Sequence, residues 1–186
     1  MTGPSEGSAQ PRITPGGRAE IGVVSASIAW IAGRVAGTGP LNLFTTLARH
    51  RRLFRGWLFF AGRLMPRGTL PRADTELVIL RVAHNCESEY EWRHHERIAQ
   101  AKGLTGDEVA RVRAGAQAPG WTPRQRGLLQ AADELHERRV LGDEVWAQLS
   151  AELSDTHLIE LCMLVGHYEM LAMTLRSLRV QPDHSQ

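Results

Sequence analysis

Residues 75–95 read TELVILRVAHNCESEYEWRHH, and the pattern of this stretch decides the fold. Its first ten residues are apolar on nearly every side apart from Glu76, the composition of a helix packed all round. Asn85, Cys86 and Glu87 interrupt that pattern. Ser88 followed by Glu91 then has the form of a capping box, in which serine accepts an amide of the first turn and glutamate reaches back. The stretch therefore predicts two helices joined at about residues 84–87. Glu91 and His95 lie one turn apart on the second and can face one side. His94 points roughly 100° away from His95, so only one of the two faces that side.

The rest of the chain carries similar start and stop signals. Thr122-Pro123-Arg124-Gln125 places an N-cap, a first-turn proline and a capping-box glutamine in order. Thr105 with Glu108 forms another such box, Gly103 suits the preceding helix end, and Ser154 can cap the apolar run at 158–178. No strand alternation or Asn-Gly hairpin signal occurs, so the chain is expected to be all-α. The expected helices are 20–35, 41–49, 52–65, 72–85, 88–102, 106–115, 123–139, 143–150 and 155–179. Residues 75–84 and 156–167 echo one another, sharing a threonine, leucine spacing and a terminal histidine with a two-residue slip. Residues 1–17, rich in Gly, Pro and Ser, are expected to form a disordered tail, and 18–182 one domain.

Composition excludes several classes of partner. The net charge is +2, too small to imply a polyanion. Arg49, Arg51, Arg52, Arg55, Arg63, Arg67 and Arg72 do fall in a window free of acids. That window also holds Phe54, Trp57, Leu58, Phe59 and Phe60, which at helical spacing make a core stripe with arginines on the wet side. No nucleic acid is expected. The two cysteines, Cys86 and Cys162, are far apart and suit a reducing cytoplasm. No run is expected to reach the ~20 apolar residues of a membrane span. Residues 21–33 lack a convincing small-residue cleavage site and are interrupted by Arg34, so they read as a short amphipathic helix, not a signal peptide.

Glu76, Ser88, Glu91 and His95 stand in the spacing E-x11-S-x2-E-x3-H. This resembles the E-x11-C-x2-C-x3-H signature of the carboxymuconolactone decarboxylase and alkylhydroperoxidase superfamily, over roughly residues 40–182. The resemblance implies an all-α fold built from a repeated helical hairpin, and assembly as a homotrimer or homohexamer with sites near subunit interfaces. It also implies that Glu76 and His95 belong to a proton relay. In the redox members a thiolate is favoured at a helix N-terminus. Here Ser88 and Glu91 replace both cysteines, and that mechanism is lost.

The resemblance then implies a lactone decarboxylase-like reaction, acid–base chemistry without a cofactor on a small organic acid or lactone. His95 is the expected proton donor, with Glu91 or Glu76 setting its protonation. Ser88, Arg81, Arg93, His167 and Tyr168 are candidates for substrate binding, an arginine being suited to hold a carboxylate by paired hydrogen bonds. That arginine should not clamp the departing carboxylate, since this would stabilise the ground state. Each residue also has a bland role: Ser88 and Glu91 as a helix cap, Glu76 at a solvated first turn, His167 as a satisfied core histidine. E-x3-H without a second spaced pair is not a zinc pattern, and no metal is expected. Two alternatives differ in kind: a thiol peroxidase or disulfide reductase using Cys86, and a non-catalytic binding or assembly protein on the same fold.

Without a vicinal thiol pair to be oxidised and regenerated, hydroperoxide turnover with a dithiol reductant should stay at the uncatalysed rate. A steady-state peroxidase assay checks this. Robust turnover that vanishes in Cys86→Ser would establish the thiol alternative.

Overall fold

The computed structural model describes residues 10–183, the side chain of Ala36 excepted, and every regular element among them is helical. In order these are α1 (Arg18–Ala36), α2 (Asn42–Leu47), α3 (Arg51–Leu64), α4 (Arg72–Asn85), α5 (Glu89–Ala101), α6 (Gly106–Val112), α7 (Pro123–Arg138), α8 (Asp143–Ser150) and α9 (Asp155–Leu178). The all-α expectation holds, and the predicted break between residues 84 and 88 is present. The chain expected as one domain divides into two compact units: one runs to Phe59 and resumes at Thr174, the other is Phe60–Met173.

In the first unit, α1 is interrupted at Gly22, whose φ of 80° and ψ of 160° no other residue adopts cheaply. Ile21, Ala48 and Phe54 form a small core, with Phe44 set edge-on to both Phe54 and Trp57. Residues 1–9 of the expected tail lie outside the described residues. Residues 10–17 are tied down: the Arg12 amide donates to Leu178 O at 3.0 Å and the Gly16 amide to Thr45 O at 3.0 Å. The acid-free arginine window is partly spent inside the unit. Arg49 pairs with Glu20 at 2.7 Å, and Arg51 donates to the carbonyls of Ala19 and Glu20.

The second unit is built around α4. Thr75, Glu76, Leu77, Val78, Ile79, Leu80, Val82 and Ala83 are all buried, which explains why the sequence of this helix is apolar on every side. It packs chiefly against α5 and α7. Trp92, Val109, Val112, Leu128, Leu129, Leu161 and Leu164 supply much of the surrounding core. The expected caps form at three helices: Thr105 Oγ1 accepts the Glu108 amide, Thr122 Oγ1 the Gln125 amide, and Ser154 Oγ the His157 amide.

The entry to α4 is fixed by a side chain from α9. Glu160 accepts from the Thr69 amide and hydroxyl, both at 2.6 Å, and from the Leu70 amide at 3.1 Å. Gly68 is required for this approach, since a Cβ there would sit 2.2 Å from Glu160 Oε1. One expectation fails: α9, with 24 residues, is long and apolar enough to cross a membrane by composition alone, an 18-residue window of it having mean hydropathy 1.4. Half of that window is buried inside the protein, and Leu158, Leu161, Leu164 and Val165 belong to the core of the second unit.

Candidate active site

α4, α5 and α9 bring together a set of polar side chains within the apolar core of the second unit. Glu76, on the second turn of α4, is wholly buried. Nδ1 of His95, from α5, donates to its Oε2 at 2.7 Å. The other Glu76 oxygen, Oε1, lies 3.6 Å from Nη2 of Arg72, one turn earlier on α4. Tyr168 of α9 sets its ring edge against His95 at 5.1 Å between centroids, and His167 packs against Tyr168 at 5.3 Å. His94, its neighbour in sequence, faces elsewhere and lies against Tyr90.

The titration behaviour follows from lost water. Burial pushes the Glu91 carboxyl up to about 8, only slightly opposed by the nearby Ser88 hydroxyl, so Glu91 is neutral at pH 7. Burial lowers His167 to about 4 and keeps that ring neutral. Tyr168 is raised well above its ordinary value, first by burial and then by the charges of Glu76 and Glu91, with Arg72 opposing. Tyr168 is therefore a hydroxyl at all working pH values, able to donate a hydrogen bond.

Several polar atoms here are unspent. Arg72 Nη1, Glu76 Oε1, Ser88 Oγ and both carboxyl oxygens of Glu91 are buried without a hydrogen bond of ordinary geometry. Nε2 of His95 likewise makes no hydrogen bond among the described residues, and a tenth of the side chain is exposed. Buried polar groups are normally satisfied, so such a concentration singles this cluster out as the candidate site.

The structure corrects three readings of the sequence. Ser88 is the N-cap of α5 but caps nothing: its hydroxyl accepts no backbone amide, and the backbone at ψ 86° is turned away from the usual cap conformation. Arg81 is not at the cluster. It is bound to Asp133 at 2.6 Å and to Val112 O at 2.9 Å, lining a separate cleft of about 290 Å³. Arg93 is exposed and pairs with Glu89 along α5. The residue that sequence reasoning missed is Arg72, whose signal was its i,i+4 relation to Glu76.

The model of the carboxymuconolactone decarboxylase family matches residues 51–134, the segment that carries α3 to α7 up to Glu134. An alkylhydroperoxidase core protein from Ralstonia eutropha JMP134, described as an uncharacterized peroxidase-related protein, superimposes with a TM-score of 0.81 at 17% identity, covering 94% of each chain. Over residues 51–134 the chain is similar to the carboxymuconolactone decarboxylase family, and it has the fold of alkylhydroperoxidase-like proteins. Other proteins of similar shape are a peroxidase-related protein from Silicibacter sp. TM1040 (TM-score 0.79, 12% identity, 95% of both chains) and the debrominase Bmp8 in complex with 2,3,4-tribromopyrrole (TM-score 0.79, 14% identity, 96% of this chain and 95% of that one). At such identities these superpositions establish the superfamily fold alone. The sequence matches no curated protein.

The neutral Glu91 has a measurable consequence. Its folded pKa of about 8 lies above the ordinary 4.5, so its proton stabilises the folded state fully below about pH 4.5, and this contribution is lost as pH rises to about 8. Glu91→Gln removes the titration. Denaturant melts should show the variant gaining on the parent between pH 5 and pH 9, by a few kcal/mol at most, given ~1.4 kcal/mol per pKa unit. An equal difference at both pH values would mean that Glu91 is ionised in the fold.

Proposed function

We propose that the protein is an enzyme of this superfamily that has lost thiol redox chemistry and performs acid–base catalysis on a small organic acid or lactone, such as a decarboxylation or related lyase or isomerase step, without a cofactor. The observation that carries this reading is the state of His95. Its Nδ1 is anchored on buried Glu76 at 2.7 Å, and its Nε2 is left for a bound molecule. A carboxylate behind an imidazole fixes the orientation of the ring, as a proton donor needs.

In such a reaction the bond to the departing carboxylate breaks, carbon dioxide leaves, and the electron pair passes into an enolate. His95 delivers the proton from Nε2 to the carbon, and solvent restores it. Glu76 holds the imidazolium during this step. Glu91 takes a different part from the one expected. Being neutral up to about pH 8, it does not support a positive ring but offers a second hydrogen-bond donor to a developing enolate oxygen. Arg72 Nη1, buried and unpartnered, suits a second carboxylate of the substrate, one that stays.

The halopyrrole bound by Bmp8, a protein of the same fold, is a small organic molecule of the class proposed here. We place the protein in the cytoplasm as a homotrimer or homohexamer, without nucleic-acid or membrane partners. Val24 and Val35 on α1, and Ile159 and Met173 on α9, are large exposed apolar side chains that such an assembly would cover.

Carbon dioxide release and proton incorporation can be followed by NMR over a panel of carboxylated lactones and β-keto acids. We expect turnover by the parent protein that declines above about pH 8, when Glu91 ionises. His95→Gln should lower kcat at least 100-fold, the usual scale for a general acid. Its cost in stability should be about 1–3 kcal/mol, because Glu76 loses its partner. No turnover of any panel member by the parent, or a His95→Gln variant altered in stability alone, would discard the catalytic reading in favour of a structural histidine.

A further inference from the structure

A second cluster of reactive side chains lies in the same unit, outside the proposed acid–base site. Cys86 closes the end of α4, His136 comes from the last turn of α7, and Glu169 comes from α9. Their donor atoms all lie within 4.8 Å of one another. Nδ1 of His136 is 2.8 Å from Glu169 Oε1 and 3.8 Å from Cys86 Sγ. All three residues are half-buried, so the atoms are held by the fold yet open to solvent on one side.

We infer that Cys86, His136 and Glu169 form a binding site for a zinc-class divalent cation. One soft sulfur, one imidazole nitrogen and one carboxylate oxygen are donors that zinc and its neighbours prefer, and that calcium or magnesium would not select. With Zn–S of about 2.3 Å and Zn–N of about 2.05 Å, tetrahedral geometry sets sulfur and nitrogen about 3.6 Å apart. The observed 3.8 Å is already near that. The His136–Glu169 pair, at 2.8 Å, is a hydrogen bond that must open to about 3.4 Å as the metal displaces the shared proton. A thiolate and a carboxylate balance the charge of a divalent ion, and the open side leaves a fourth position for water.

The surroundings orient this set. Arg139 holds the second oxygen of Glu169, Oε2, and leaves Oε1 directed at His136. The two non-glycine residues with positive φ described in this unit, Glu87 at 52° and Arg139 at 63°, follow Cys86 and end α7 respectively. Left-handed backbone at such residues persists where the surrounding structure enforces it. The expectation that the chain binds no metal rested on the E-x3-H motif. The ligands proposed here are separated by 50 and 33 residues in sequence, a spacing that no short motif reveals.

Tag-free protein treated with EDTA and then titrated with Co²⁺ and Zn²⁺ at neutral pH tests the site. We expect one equivalent of Co²⁺ bound with a near-ultraviolet thiolate-to-cobalt charge-transfer band that Zn²⁺ abolishes. Cys86→Ser should remove the band, Glu169→Gln and His136→Gln should weaken binding at least tenfold, and Cys162→Ser should change nothing. Circular dichroism confirms that each variant is folded, and the near-isosteric Cys86→Ser and Glu169→Gln stand on their own if His136→Gln is not. Absence of saturable binding, binding without the band, or a band that survives Cys86→Ser would overturn the inference.

Discussion

The hydrogen bond between His95 Nδ1 and Glu76 Oε2 is the constraint around which the second unit is arranged. Glu76 sits in a helix whose neighbours are all buried, and a carboxylate there costs several kcal/mol of lost hydration unless it is paired. His95, from across the loop on α5, and the nearby Arg72, one turn earlier on α4, supply that pairing. The pairing in turn dictates where α5 must run, and hence where Glu91 is buried. Glu160 fixes the start of α4 from α9, the same helix that brings Tyr168 against His95. Three helices are thereby committed to one polar centre.

Two carboxyl groups in one poorly hydrated place assume different roles because their partners differ. Glu76 has a histidine at 2.7 Å and an arginine at 3.6 Å. Glu91 has no ion-pair partner among the described residues, and burial keeps its proton on. A paired acid beside an unpaired one is the arrangement from which acid–base assignments usually follow. The two positions that resemble the superfamily's cysteines are here occupied by Ser88 and by this protonated Glu91. In the proposed reading, the replacement exchanges a site for electrons for one suited to protons. The thiol that remains, Cys86, lies two residues earlier and turns to a different histidine, His136.

The helices were legible because local signals determine them. Thr105 and Thr122 cap where the sequence places them, and the change from VILRVAH to NCES marks the break between α4 and α5. Glu76 and His95 were legible through spacing. Ser88 was misread because Ser-x-x-Glu satisfies the capping pattern while tertiary packing buries both side chains away from the amides. Arg81 and Arg93 suit a carboxylate by residue type alone, yet Asp133, 52 residues on, claims the one and Glu89 the other. Arg72 was passed over as one of a run of surface arginines. The Cys86–His136–Glu169 grouping depends on how α4, α7 and α9 meet, which no single stretch encodes.

The central claim is that the core of the second unit holds a protonated carboxyl beside an anchored histidine at neutral pH. Infrared difference spectroscopy of the parent protein against Glu91→Gln reads it most directly. The account predicts a protonated-carboxyl C=O band at pH 7 that is absent from the variant and bleaches with a midpoint near pH 8. A carboxylate signal for Glu91 at pH 7, with no protonated band lost in the variant, would contradict it.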